Sequence, residues 1–224
     1  VDTLAGAFLS SSGVSDTARA SSLRTVDDVP DLEVFFNPSV NVVTLRRTPT
    51  AGLVDEARRV VTREEGFQRL FTLVPGAARS TMEEELAEFP RLADDILSWV
   101  DLVTDLTDAK LVGVRLTRAT SAMCPRFHTD RVTVRLVTTY AGLGTEFVAT
   151  QHADRGLLGH AAAGVPDEES GLLLKPDCIR QADPFDVVFL KGEAWPGNAG
   201  RGAVHRSPEA SPSAPRLVLT LAPL

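Results

Sequence analysis

The segment CPRFHTD, residues 124–130, places His128 and Asp130 two positions apart in a β-rich run. Alternate side chains of a strand share a face, so the imidazole and the carboxylate can point at one spot. A second histidine, His205, follows 77 residues later, at the start of a short strand just past a Gly-rich turn. Two histidines and one carboxylate make a facial triad, which holds Fe(II) and leaves coordination positions open for a bidentate 2-oxo acid and for dioxygen. Arg216 lies eleven residues after His205 and opens the run RLVLTL. Its planar guanidinium suits bidentate recognition of a carboxylate and stays charged when partly buried.

Other residues could join this constellation. Tyr140, the one tyrosine, shares strand parity with His128 and Asp130 and is expected to face the pocket and bond a cosubstrate carboxylate. Arg135 has the opposite parity, so a bulge is needed to turn it inward. Arg206, beside His205, is a candidate substrate contact, as is Lys191, which ends a strand at the expected barrel mouth. Together with Arg201 these arginines suggest a small anionic or amino-acid-like substrate. Cys124 offers a competing chemistry, because a Cys, two His and an Asp would suit closed tetrahedral zinc, as in a metal-homeostasis protein without turnover. His152 and His160 fall in a loop-like stretch and receive no role. Gly142 and Gly144 read as a hairpin turn.

The elements that must position these residues divide the chain. Residues 1–30 read as a weakly structured arm, and 31–224 as a single domain with a mainly helical layer over 31–110 and a β-barrel core over 111–224. VNVVTL, residues 40–45, is β-branched and predicts a strand. Apolar spacing from Leu53 to Phe71 predicts a helix. A second helix is expected from a capping box at Ser80 and Glu83, running to Leu106 with a kink at Pro90. Beyond Lys110 short β-rich runs at 111–120, 127–140, 145–150, 171–179, 185–192, 202–207 and 216–221 alternate with Gly/Pro turns. That grammar predicts an antiparallel sandwich or small barrel, and so an α+β fold with an N-terminal helical layer.

The segments CPRFHTDRVTVRLVTTYAGLGTEFV, VVFLKGEAWPGNAGRGAVHRSP and RLVLTL resemble an uncharacterised bacterial domain-of-unknown-function family marked by C-P-x-F-H-x-D, K-G and H-R-S-P. The resemblance runs from about Val40 to the C-terminus, and these motifs look like those of the wider Fe(II)/2-oxoglutarate oxygenase superfamily. It implies a double-stranded β-helix, a cupin-like jelly roll, with His128, Asp130 and His205 on Fe(II) and Arg216 on the distal carboxylate of 2-oxoglutarate. The implied activity is an O2-dependent dioxygenase that hydroxylates, desaturates or cyclises a small molecule. A cupin-type enzyme that does not use 2-oxoglutarate would keep the triad and tolerate loss of Arg216.

Composition narrows the classes further. The net charge is −7, and residues 1–110 hold 11 basic against 19 acidic side chains. No basic run is available to neutralise phosphates, so neither nucleic acid nor an anionic membrane surface is an expected partner. Two cysteines without CxxC spacing fit a reducing compartment. The opening residues carry no basic stretch ahead of an apolar one, and the expected location is cytoplasmic. Oligomeric state is not legible.

Overall fold

The structure is a computed structural model and describes residues 21–63, 66–159 and 164–224. In chain order the elements are β1 (Leu23–Val26), β2 (Val42–Leu45), α1 (Ala51–Arg63), β3 (Gln68–Leu73), α2 (Ala78–Glu85), α3 (Pro90–Thr107) and β4 (Val112–Ala119). They continue with β5 (Val134–Ala141), β6 (Glu146–Val148), β7 (Ile179–Gln181), β8 (Val187–Lys191), β9 (Val204–Arg206) and β10 (Arg216–Pro223). No helix among the described residues is long and apolar enough to cross a membrane.

Alternation along the strands decides what each face of the main sheet meets. In β10, Leu217, Leu219 and Leu221 are fully buried against the helical layer, while Arg216, Val218 and Thr220 point to the other side. β10 lies between β4 and β5 in a seven-stranded sheet ordered β1-β2-β8-β5-β10-β4-β3, antiparallel throughout except for the β1–β2 pair. A three-stranded sheet, ordered β7-β6-β9, packs across its inner face. Val42, Val137, Val188 and Val218 of the large sheet meet Phe147 and Ala203 there. The result is an α+β jelly roll of two facing sheets, as expected, although the sheets do not close into a barrel.

The helices cover the outer face of the large sheet. Leu92, Ile96, Val100 and Val103 recur at helical spacing on α3 and are completely buried, as is Val60 of α1. Each such side chain contributes roughly 1.5–3 kcal/mol by leaving water. The expected long helices are shorter than periodicity suggests. α1 ends before Gly66, which sits at φ +71, and Phe67, Leu70 and Phe71 belong to strand β3 or its approach. Their i, i+3, i+4 spacing matches a helix, but the backbone of β3 pairs with β4 along its whole length. The expected kink at Pro90 is a true break: α2 stops at Glu85, and Pro90 is the first residue of α3, where its missing N–H has no intrahelical partner to lose. Nor is there a capping box, since α2 begins at Ala78 and the Ser80 hydroxyl donates to the Ala77 carbonyl instead.

The arm also needs correction. Residues 1–20 lie outside the described residues, but Leu23–Val26 form a strand in parallel register with β2. The end of the arm, from Val29, belongs to a 3-10 helix, Val29–Phe36, in which Phe35 is fully buried. The expected strand over 171–179 reduces to a bridge between Leu173 and Ala153 and, at its end, Ile179, which opens β7.

Two residues expected at the pocket lie on the wrong side of the large sheet. Tyr140 is buried against the helical layer, where its hydroxyl donates to Asp95 at 2.8 Å. Burial, reinforced by the Asp95 charge, raises its pKa well above the ordinary phenol value. Asp95 also accepts from the Trp99 indole at 3.0 Å and pairs with Arg47, so this network joins α3 to β5 and to the segment after β2. Tyr140→Phe removes a hydrogen bond to a charged acceptor. It should lower unfolding free energy by about 1.5–3 kcal/mol in urea denaturation without changing metal affinity. Lys191 is likewise buried, donating to the Asn37 carbonyl at 2.9 Å over the rings of Phe35 and Trp195. Burial, with Arg201 nearby, pushes its pKa down to about 8. It therefore plays a structural part and does not reach the pocket.

Candidate metal centre

His205 stands on β9, and its backbone exchanges two hydrogen bonds with that of His128, at 3.0 and 3.1 Å. This single bridge brings the two imidazoles together across 77 residues of chain, with ring centroids 4.4 Å apart. The chain then bends over residues 131–133 before β5 begins. Gly192 makes the bend possible: a Cβ there would lie 1.8 Å from the Val132 carbonyl oxygen. The Gly192 and Glu193 amides donate to the Thr133 and Asp130 carbonyls, both at 2.8 Å, and so hold the backbone that carries Asp130.

The ligand atoms of His128, Asp130 and His205 all lie within 4.8 Å of one another. Asp130 Oδ1 is 3.8 Å from His128 Nε2, and its Oδ2 is 3.5 Å from His205 Nε2. Each Nδ1 faces a backbone carbonyl, Arg126 at 2.9 Å for His128 and Ala203 at 3.0 Å for His205. A carbonyl only accepts, so each Nδ1 carries the proton and each Nε2 presents its lone pair to the carboxylate. Three electron-pair donors converging in this way call for a cation between them, and the residues present fit a divalent metal ion. Burial, and then His205, lower the His128 pKa, which favours the neutral, ligating imidazole. Burial acts to raise the Asp130 pKa, but His205 and Arg135 outweigh it and leave the carboxyl well below its usual range.

The bend also reverses the expected parity. Val134, Leu136 and Tyr140 of β5 face the helices, whereas Arg135 and Val137 face the space between the sheets. Arg135 therefore reaches inward after all, and its guanidinium pairs with Asp130 Oδ2. An outer partner of this kind orients a ligating carboxylate, and its loss typically costs 10–100-fold in metal affinity. Arg135→Ala should weaken metal binding by roughly that factor in a competition titration while leaving the fold intact.

Arg216 is 1% exposed. It lies one alternate position along β10 from Val218, which lines the cavity beside the triad. Its Nε donates to the Leu143 carbonyl at 2.5 Å and its Nη2 contacts Thr139 Oγ1 at 3.3 Å, while Nη1 has no hydrogen-bond partner among the described residues. Nor does any carboxylate among them stand within ion-pair distance of it. Burial pushes its pKa down to about 10, so it remains cationic at neutral pH. Glu146 offsets that burial only through space, without an ion pair, and the open donor on Nη1 suits an anionic group. Gly142, at φ +81, gives the stem of this side chain room, since a Cβ there would lie 2.9 Å from Arg216 Cγ.

The remaining candidates divide. Arg206 borders the cavity, but it pairs with Glu146 at 2.7 Å and Glu168 at 2.6 Å and lies over the Phe127 ring. Its charge is already matched, so the expected substrate contact finds no support. Arg201 donates to the Pro38 carbonyl and is no part of the cavity wall. Cys124 lines the cavity without joining the ligand cluster, which removes the fourth ligand that the zinc alternative requires. Sequence reasoning overlooked Arg115, which lines the same cavity from β4. The signal was present, since Val112, Val114 and Leu116 alternate with Arg115 and Thr117.

The fold and the site together define the class: a two-sheet jelly roll with His128, Asp130 and His205 clustered beside a cavity between its sheets and a buried arginine opening its last strand. The chain belongs to the family described as protein of unknown function (DUF1826), whose profile matches residues 26–222. No curated protein matches it. Among solved structures it is similar to HygX from Streptomyces hygroscopicus with nickel and 2-oxoglutarate bound, at 13% identity and TM-score 0.49, covering 88% of each chain. It is also similar to a full-length Neurospora crassa protein in complex with alpha-KG and thymine, at 12% identity and TM-score 0.46, covering 90% of this chain and 85% of that one. A dioxygenase for auxin oxidation from rice gives 16% identity and TM-score 0.43 over 82% and 73% of the two chains.

Proposed function

We propose that the chain is a non-haem Fe(II)/2-oxoglutarate-dependent oxygenase acting on a small organic molecule. One observation carries this reading: the converging lone pairs of His128, Asp130 and His205 share the inter-sheet face with a buried guanidinium whose Nη1 has no partner among the described residues. The triad would hold Fe(II) and leave positions free, and Arg216 would take the distal carboxylate of 2-oxoglutarate. When bound, the iron supplies activation of dioxygen coupled to decarboxylation of the cosubstrate. The balance is 2-oxoglutarate plus O2 plus R–H giving succinate, CO2 and R–OH for hydroxylation, the default outcome; desaturation or ring closure follows if the substrate is held differently.

The chain's own residues set the conditions. The Arg126 and Ala203 carbonyls keep both imidazoles in the Nε2-ligating tautomer, and Arg135 steadies one oxygen of Asp130. Met123, Val137 and Val218 give the cavity, about 160 Å³, an apolar wall that limits water around the metal. An acidic chain without a basic run supports a small-molecule substrate over a nucleic acid or membrane surface. Anaerobic addition of Fe(II) and 2-oxoglutarate should produce the weak visible charge-transfer band of such chelates, and admission of O2 should release succinate. Iron binding with neither band nor succinate would remove 2-oxoglutarate from the assignment.

A further inference from the structure

Three arginines line the cavity beside the triad: Arg115, Arg135 and Arg206. Arg135 is paired with Asp130, and Arg206 with Glu146 and Glu168. Arg115 is different. Its guanidinium makes one weak contact, Nε to Thr117 Oγ1 at 3.3 Å, and no carboxylate among the described residues stands within ion-pair distance. It is also exposed, where the other two are half-buried.

Register places Arg115 in the site. It is opposite Thr220 of β10 on the inner face of the large sheet, and Arg216 lies on that same face of β10 four residues from Thr220. At about 3.4 Å per residue the two backbone positions are roughly 14 Å apart along the strand. The buried guanidinium at one end suits the cosubstrate, and the exposed one stands where a second molecule would arrive. Between them the wall is apolar, with Val137 and Val218 of the large sheet and Met123 facing the cavity.

We infer that Arg115 binds a carboxylate of the organic substrate, carried on an otherwise apolar body whose hydrocarbon portion lies toward the metal. This rests on the proposed oxygenase reading and names the substrate class for it. It also replaces the arginines that sequence suggested for this task, because Arg206 and Arg201 are already occupied.

The probes are small aliphatic and aromatic monocarboxylates and α-amino acids, each matched with its primary amide. They are added to the anaerobic complex of protein, Fe(II) and 2-oxoglutarate, followed by visible absorption, and separately to metal-free protein, followed by calorimetry. Carboxylates should perturb the band and bind, and their amides should not. A charge-assisted hydrogen bond is worth about 1.5–3 kcal/mol, so Arg115→Gln should weaken the best carboxylate about 10–100-fold. Arg115→Lys should recover part of that affinity, and the affinity for 2-oxoglutarate should stay unchanged in both variants. Equal binding of acids and amides, an unaffected Arg115→Gln, or a band that forms and responds to no carboxylate would overturn the assignment. Absence of the band in the unmodified protein would instead refute the iron and 2-oxoglutarate reading, and the calorimetry on metal-free protein would still decide Arg115.

Discussion

Asp130→Ala should abolish tight binding of a divalent metal, the largest effect expected of any single substitution in this chain. Asp130 is the one carboxylate in the cluster, and both Nε2 atoms face it, at 3.5 and 3.8 Å. Removing it takes away a charged ligand and leaves Arg135 pointing at the metal position without its counter-ion. The cation would then repel the metal as well as failing to orient a ligand. The loss should exceed the roughly 10–100-fold typical of outer partners. Metal analysis after anaerobic loading, with competition titration, measures it. His205→Ala should behave similarly, because His205 is the most buried of the three ligands. Cys124→Ala should retain the metal in full, and loss of metal in that variant would restore the four-ligand zinc alternative.

The second large effect concerns Arg216, and it has two opposite sides. With metal present, Arg216→Met should lose most affinity for 2-oxoglutarate. Breaking a buried ion pair costs about 3–5 kcal/mol, which corresponds to a loss of more than about 100-fold. Without cosubstrate, however, the same variant should unfold no more readily than the parent. It forfeits the hydrogen bond to the Leu143 carbonyl, but it also removes a buried cation that forms no ion pair among the described residues and that Glu146 offsets only from a distance. Thermal unfolding with a redox-inert divalent metal separates the two sides. A ligand at 100 times its dissociation constant stabilises by about 2.7 kcal/mol, so 2-oxoglutarate should raise the parent's midpoint and leave the variant's unchanged. A variant that unfolds early without ligand would instead mark Arg216 as a structural residue. One that turns over normally would point to an enzyme that does not use 2-oxoglutarate.

Much of this site can be read along the chain because its ligands announce themselves by type. A carboxylate two positions from a histidine in β-rich sequence, a second histidine before a short strand and a strand-opening arginine are local patterns. The structure brings His128, Asp130 and His205 together and sets Arg216 on the same face of β10 as Val218, which lines the cavity beside them. The alternating apolar residues of β10 and β4 are legible for the same reason, since period two in the sequence is period two in a strand. Helix limits are harder. Phe67, Leu70 and Phe71 satisfy a helical spacing as well as an extended one, and only pairing of β3 with β4 selects between them.

The residues misplaced by sequence are those whose direction depends on a bend. Counting by twos from His128 sends Tyr140 into the pocket and Arg135 out of it. Residues 131–133 interrupt the strand, so parity is not carried across them, and the two exchange places. That interruption is sustained from 60 residues away, where Gly192 lacks the Cβ that would strike the Val132 carbonyl. Ion pairing is equally invisible in one dimension. Arg206 looks as available as Arg115 until Glu146 and Glu168 are brought against it by folding. Residue type and short-range spacing are properties of the chain itself, and they are enough to pick out three candidate metal ligands and an arginine able to bind an anion. Which way a side chain points, and whether its charge is already matched, depends on contacts between distant segments, and folding alone supplies those.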